Sequence, residues 1–402
     1  MRRTPLRSEG GAILVQVAVG ILVLITLTMF VFDYGVMWVG RSQAQNAADA
    51  GALSGAVALA LDTNAAANGG EDALNSALIV AAGHTVWGQA PNADANNLEA
   101  FYPVVCPDGT VTCLRVDVYR NAARGNALPM FFGRFVGLTE QGVRATATAQ
   151  AAVANASDCL KPWAIPDRWI DNHDETGVID NEWTMDDRFE TTVQSGKNKG
   201  QPLANPDVYS KPGFTLQHVG TRMTLKFGNP SGSQPVAPGN FFPVALPTWD
   251  GESRGGSDYE QNISQCNGVP VAIDTEITSE PGAKIGPTAH GMEDLIAQDP
   301  SATWDETTQS VQNSCAQTAN PCATISPRII AIPVFDTGWF NEGQQTGRLQ
   351  LRIVNILGFF IDQMQGQDVN GVFMRIPGVL LAGAGANVNP NAAFMQVPLL
   401  VR

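Results

Sequence analysis

The most restrictive feature of the sequence is a stretch of 21 residues without a charge, Ala12 to Phe32, reading AILVQVAVGILVLITLTMFVF. As a helix rising 1.5 Å per residue it is about 31 Å long, close to the thickness of a bilayer's hydrocarbon core. Asp33 ends the run, and Tyr34 and Trp38 follow as interfacial anchors. A cleaved signal peptide is the alternative. Its apolar region is shorter, about 7–15 residues, with a small-residue cleavage site close behind. The nearest A-x-A here, Ala48-Asp49-Ala50, lies well past the run, which favours an uncleaved anchor. Arg2, Arg3 and Arg7 precede the span and no Arg or Lys follows until Arg41, which puts the N-terminus in the cytoplasm and the body outside.

That body is poor in charge. Charged residues make up 15%, with 40 Gly and 25 Pro, which fits a turn-rich, strand-rich body rather than a helical bundle. With 8 Trp and 17 Phe there is ample material for a core, which argues against disorder. The net charge is −14, and Lys/Arg cluster only at the extreme N-terminus, so nucleic acid is excluded as a partner.

All six cysteines lie beyond the span. An even count in an exported chain reads as disulfides. Cys106/Cys113 and Cys315/Cys322 share a C-x6-C spacing, and Asp108-Gly109 marks a hairpin turn inside the first pair. Pairing these two locally leaves Cys159–Cys266 by elimination; six buried free thiols are the alternative. No C-x2-C spacing exists and no His is near, so a zinc site is not expected.

After the span, Gln43–Leu61 reads QAQNAADAGALSGAVALAL. Ala44, Ala48, Ala52, Ala56 and Ala60 recur every fourth residue and form a ridge of methyl groups, with Gly51 and Gly55 alongside. No Pro interrupts residues 11–90, so the span continues as one long helix. A small-residue ridge admits a close second backbone. Either the chain's own domain or a partner subunit can occupy it. Asn68-Gly69-Gly70 breaks the helix, and a second helix is expected over Glu71–Val86.

The stretch GAILVQVAVGILVLITLTMFVFDYGVMWVGRSQAQNAADAGALSGAVAL, within residues 10–61, resembles the TadE/TadG-like membrane proteins of the tight-adherence (Flp) pilus system, most closely the TadG-like N-terminal region. The resemblance implies a bacterial inner-membrane protein, single-pass, with its bulk in the periplasm and a role in pilus assembly, anchoring or adhesion. It also implies other pilus or secretion-system membrane proteins as partners, with the alanine ridge as the surface. Pilin-like relatives carry Glu at the fifth position after a cleaved Gly; here Gly11 is followed at that position by Gln16, whose neutral amide cannot pair with a neighbouring amine. The D-x-S-x-S metal motif of von Willebrand A domains, carried by many TadG proteins, is absent.

From about Phe101 the pattern turns to strands. Residues 112–119 and 143–149 alternate, with a short amphipathic helix expected over Leu128–Val136. The expected organisation is a basic tail (1–11), a transmembrane helix (12–32), an α+β stem with a small antiparallel sheet (33–156) and a β-rich periplasmic domain (157–402). The fold class is α+β. Cys159-Leu-Lys-Pro-Trp-Ala-Ile-Pro-Asp167 opens the last part and is similar to segments that follow the N-terminal region in TadG-like proteins. Strands are expected over 214–227, 241–246, 269–277, 328–335, 349–361, 369–381 and 392–401, in a sandwich or irregular barrel, with one helix at Met292–Ala297.

Chemistry is sparse. The acidic loop 171–182 resembles a calcium loop, but the twelfth position is Trp183 instead of Glu, so a solvated acidic loop is the simpler expectation. There is no H-E-x-x-H or P-loop, and His84, His173, His218 and His290 are isolated. No catalytic residue, cofactor or metal is expected. Two functions remain: a non-catalytic assembly or anchoring protein, or a membrane-anchored module binding an envelope or surface ligand through its β-rich head, for which Trp249, Trp304 and Trp339 are candidates.

Overall fold

The computed structural model describes residues 10–62, 65–94, 96–168, 213–228, 239–249, 251–252, 255–282, 284–317, 322–323, 325–336, 349–383, 388 and 392–401. The chain divides into two compact units. One comprises residues through Leu59, 64–150 and 398–402; the other comprises 60–63 and 151–397.

In the first unit, helix α1 runs unbroken over Gly10–Leu61. Residues 13–28 are exposed around the whole circumference, and the helix is long and apolar enough to cross a membrane. Its C-terminal half is built differently. Ala44, Ala47, Ala48, Ala52 and Ala56 are fully buried. Helix α2, Glu71–Ala82, offers a matching row, Ala73, Ala77 and Ala81, also fully buried. Two alanine rows at four-residue spacing let the helix backbones meet. A Cβ added at Gly51 would lie 2.8 Å from the Ala77 carbonyl oxygen and 2.8 Å from the Ala81 methyl. Ser54 Oγ and Ser76 Oγ hydrogen bond across the same seam at 2.7 Å.

A sheet packs against this pair. Strands β1 (Leu98–Val104), β2 (Cys113–Arg120), β3 (Val143–Val153) and β11 (Met395–Val401) lie in the order β1-β2-β3-β11. Along the antiparallel β2–β3 register, Leu114, Val116 and Val118 face Ala149, Ala147 and Ala145. Large residues on β2 fill what the small ones leave: Leu114 fits over Gly55 and Val116 over Gly51.

The alanine ridge at 44, 48, 52, 56 and 60 is thus buried within the chain's own fold. The partner-facing reading of that ridge is corrected, because its alanines are already buried within the chain, and Gly51 and Gly55 alongside touch α2 and β2. Ala52→Leu is therefore expected to cost roughly 1–3 kcal/mol by overpacking. Leu at the exposed Asn46 serves as the control and should be near neutral. Thermal unfolding of both variants checks this; equal melting temperatures would contradict the packed ridge.

Residues 128–136 are not one amphipathic helix. Leu128–Pro129 pair with Glu140–Gln141 as a two-residue ladder, and only Gly133–Val136 form a 3-10 turn. Glycines at 133 and 137, the latter at φ 86°, stop a longer helix.

The second unit is built on strands β4 (Trp163–Pro166), β5 (Arg222–Phe227), β6 (Asn240–Ala245), β7 (Glu276–Ser279), β8 (Ile329–Phe335), β9 (Gln350–Gln365) and β10 (Asp368–Met374). Six of them form a closed ring, β9-β8-β4-β6-β5-β10, since β10 pairs back to β9; β7 bridges β9 and β6. The β8–β4 and β5–β6 pairs are parallel and the other ring pairs antiparallel. The irregular-barrel expectation fits this ring. Ile330, Ile332 and Val334 of β8 join Leu357, Phe359 and Ile361 of β9 in one buried cluster with Trp163, Phe241 and Phe373. The intervening residues, Ala331, Phe335, Phe242 and Val244, form a second core.

Helices α3 (Gly256–Ser264) and α4 (Ile285–Ala297) pack on the first cluster through Tyr259, Ile263, Met292 and Leu295. Helix α4 begins seven residues earlier than expected. Pro287 is its third residue, where the missing N–H would be unpaired anyway. Three expected strands are shorter or split. Residues 214–221 contain a 3-10 turn at Leu216–His218, closed by a Thr215/His218 capping box. The 269–277 stretch breaks at Asp274, φ 70°. Past Met374, Ile376–Pro377 leave the ring and pair with Met395–Gln396.

All six cysteines are bridged as expected: Cys106–Cys113, Cys159–Cys266 and Cys315–Cys322.

Candidate functional site

The described residues hold no cluster of three or more metal-ligating side chains. The chemistry concentrates in three places, one in the first unit and two in the second.

The first is the end of the apolar run. Asp33 lies on α1 one residue past Phe32, and its side chain is buried. Its carboxylate accepts three successive backbone N–H groups, Phe131 (2.7 Å), Phe132 (3.1 Å) and Gly133 (2.6 Å). Its own carbonyl accepts Gln141 Nε2 at 3.1 Å. Hydrogen bonds from N–H to an ionised acid are among the stronger ones, and three in succession fix the 131–133 backbone to the helix. Phe32 meets Phe132 edge-on at 5.9 Å. The sequence reading gave Asp33 only the role of ending the span. The clamp pairs residues about a hundred positions apart, which no local pattern reports.

The second place is the start of the barrel unit. Lys161 is 2% exposed, and its ammonium donates to the carbonyls of Gln265 (2.8 Å) and Asn262 (3.5 Å) at the C-terminal end of α3. A cation there complements the helix dipole. Burial nevertheless pushes its pKa down to about 7. Beside it lies a cavity of about 480 Å³ lined by Asp158, the Cys159–Cys266 bridge, Leu295, Gln298, Ile325 and Ile376, among others. The lining is mainly apolar. Lys161 is committed to carbonyls, and its role is to hold α3 to the β4 entry.

The third is a pair of buried acids at the ends of the parallel strands β4 and β8. The Asp167 carboxylate accepts N–H groups of Gly213 (2.7 Å), Arg168 (2.8 Å) and Phe214 (3.2 Å). Burial pushes its pKa up to about 6, helped by the Asp336 charge and opposed by the three N–H donors. Asp167 thereby ties residue 168 to residues 213–214. The rest of the acidic run, including the loop 171–182 and His173, lies outside the described residues.

The other candidates separate. His218 is buried, and its ring Nδ1 accepts the Thr215 N–H at 2.9 Å as a turn cap. His84 is exposed, and His290 lies 3.7 Å from Glu260 on the surface. Of the three tryptophans, Trp304 is buried and stacked on Phe360 at 6.4 Å, so it is removed from any ligand-binding set. Trp249 is 84% exposed, and Trp339 lies outside the described residues.

The family model described as Flp pilus-assembly TadE/G-like matches residues 11–58. No curated protein and no solved structure matches the chain. The matched residues span most of α1, from the exposed apolar half through the buried alanine row. The N-terminal helix of this protein is therefore similar to the TadE/G-like Flp pilus-assembly family over residues 11–58, and the barrel unit lies beyond the match.

Proposed function

We propose that this chain is a non-catalytic protein of the bacterial inner membrane that assists assembly or anchoring of a Flp-type pilus or a related secretion apparatus. The observation that carries the reading is the coincidence of the family match, residues 11–58, with one unbroken helix that is bare and apolar at one end and built into a folded unit at the other. In this reading α1 crosses the membrane once with its N-terminus in the cytoplasm, following the positive-inside rule for Arg2, Arg3 and Arg7. Both units then stand in the periplasm, where three disulfides can form. The buried charged groups serve this role: Asp33, Lys161 and Asp167 each bind backbone groups and fasten segments together.

A second reading, a binding module acting through the barrel unit, is favoured by one observation, the exposure of Trp249. Deleting the gene and restoring it in trans separates the two. Loss of pili in the deletion strain, with recovery on complementation, supports assembly. Normal pili with loss of surface adhesion, and the same loss on Trp249→Ala, would overturn it in favour of the binding module.

A further inference from the structure

The segment after the 128–129 ladder, Phe131-Phe-Gly-Arg-Phe-Val-Gly-Leu138, shows the opposite of what a soluble loop shows. Phe135 is 79% exposed, and Phe131 and Leu138 are more than half exposed. The segment carries one charge, Arg134, and it is exposed. A solvated loop of eight residues seldom presents three large apolar side chains with so little polar surface.

Its place in the fold says what covers them. The Asp33 clamp holds residues 131–133 against the first turn after the apolar run, and Phe132 packs on Phe32. The neighbouring surface of α1 is apolar and aromatic at the same level: Phe30, Phe32, Tyr34 and Trp38 are all exposed, with Phe30–Tyr34 and Tyr34–Trp38 stacked along the helix. The exposed phenylalanines therefore continue the lipid-facing surface of the span. Aromatic rings at this depth favour the headgroup boundary, and an Arg among them can reach lipid phosphates.

We propose that residues 131–138 form a second membrane contact, inserted into the outer headgroup–acyl boundary beside the span, with Asp33 as the residue that positions it. The inference rests on the reading that α1 crosses the bilayer. It adds that the first unit is attached at two places, so α1 cannot swivel freely in the membrane.

The test uses the full chain in vesicles of phosphatidylethanolamine and phosphatidylglycerol. The six native cysteines are bridged, so single cysteines introduced at Leu22, Phe135 and Asn46 can carry an environment-sensitive fluorophore. Leu22 reports the span. Asn46 is an exposed α1 position about 20 Å beyond Asp33 along the helix. The expected result is strong quenching of the Leu22 probe by lipids carrying a deep nitroxide. The Phe135 probe should be blue-shifted and quenched by lipids with the nitroxide near the headgroup, and the Asn46 probe unaffected. Quenching at Leu22 with a water-like Phe135 probe would overturn the second contact while leaving the span intact, and the apolar edge would then face a protein partner. Equal quenching at Phe135 and Asn46 would also overturn it. Absence of quenching at Leu22 would remove the span reading itself, and the second contact with it.

Discussion

Replacing Cys159 and Cys266 together by alanine is expected to lower the stability of the barrel unit by on the order of 4–5 kcal/mol. The bridge spans a sequence separation of 107 residues, against 7 for each of the other two. In the chain-entropy account the stabilisation grows with the loop closed, so a short bridge contributes roughly 2–3 kcal/mol and the long one the most. Position reinforces this. Cys159 lies just ahead of β4, whose Trp163 indole donates to Tyr259 on α3, while Cys266 lies just past the end of α3. Without the bridge, the hold of α3 on the barrel is left to Lys161, Trp163 and apolar packing. Urea unfolding of the wild type and the double variant, followed by circular dichroism, is the measurement. A loss below about 1 kcal/mol would contradict the assignment of this bridge as the main covalent constraint.

The second large effect is a pH dependence. An unfolded lysine titrates near 10.4, and the folded Lys161 is pushed down by burial to about 7. Between those values the unfolded chain holds a proton that the folded chain has released. Stability from this group therefore rises as pH increases from about 7 towards 10.4, and is at its minimum below 7. The full span corresponds to on the order of 5 kcal/mol, at 1.36 kcal/mol for each pH unit. In Lys161→Met this rise should vanish, so the difference between the unfolding midpoints of the two proteins changes mainly between pH 7 and pH 10. Parallel profiles for wild type and Lys161→Met would show that the ammonium is not desolvated as its burial implies. Asp167 acts in the opposite sense and in a different window: its folded pKa, raised to about 6, makes its contribution fall as pH rises from about 4 to 6.

What could be read from the sequence was what is local. The uncharged run, the fourfold alanine spacing and the two C-x6-C pairs each lie within a few tens of residues, and each appears in the structure. The third disulfide followed from the other two by elimination. Strand positions were also legible where β-branched and aromatic residues run together, as in 329–335 and 350–361.

A barrel was one of two expectations, but the pairing that closes it was not legible. Closure depends on the parallel pairing of 165–166 with 334–335, and on β9 being long enough to pair with both β8 and β10. Helix α3 was missed because its sequence, GSDYEQNIS, has only Tyr259 and Ile263 to bury and no apolar repeat to display. The alanine ridge was seen, but its partner was not; the signal was there in Ala73, Ala77 and Ala81 at the same spacing on the next helix. The Asp33 clamp left no trace, since an acid after an apolar run reads the same whether it meets water or a distant backbone.

The central claim is that the TadE/G-like helix is a single membrane anchor carrying its body on the outer side of the inner membrane. A cysteine-accessibility scan tests it most directly, because the native cysteines are bridged and give no background. Single cysteines at Val15 and Leu22 in the span, and at Val105, Trp249 and Leu380 in the folded units, all replace exposed side chains. In intact spheroplasts treated with a membrane-impermeant maleimide, the account predicts labelling at 105, 249 and 380 and none at 15 and 22. Labelling of the folded-unit positions only after the membrane is permeabilised would place the body in the cytoplasm and contradict the account.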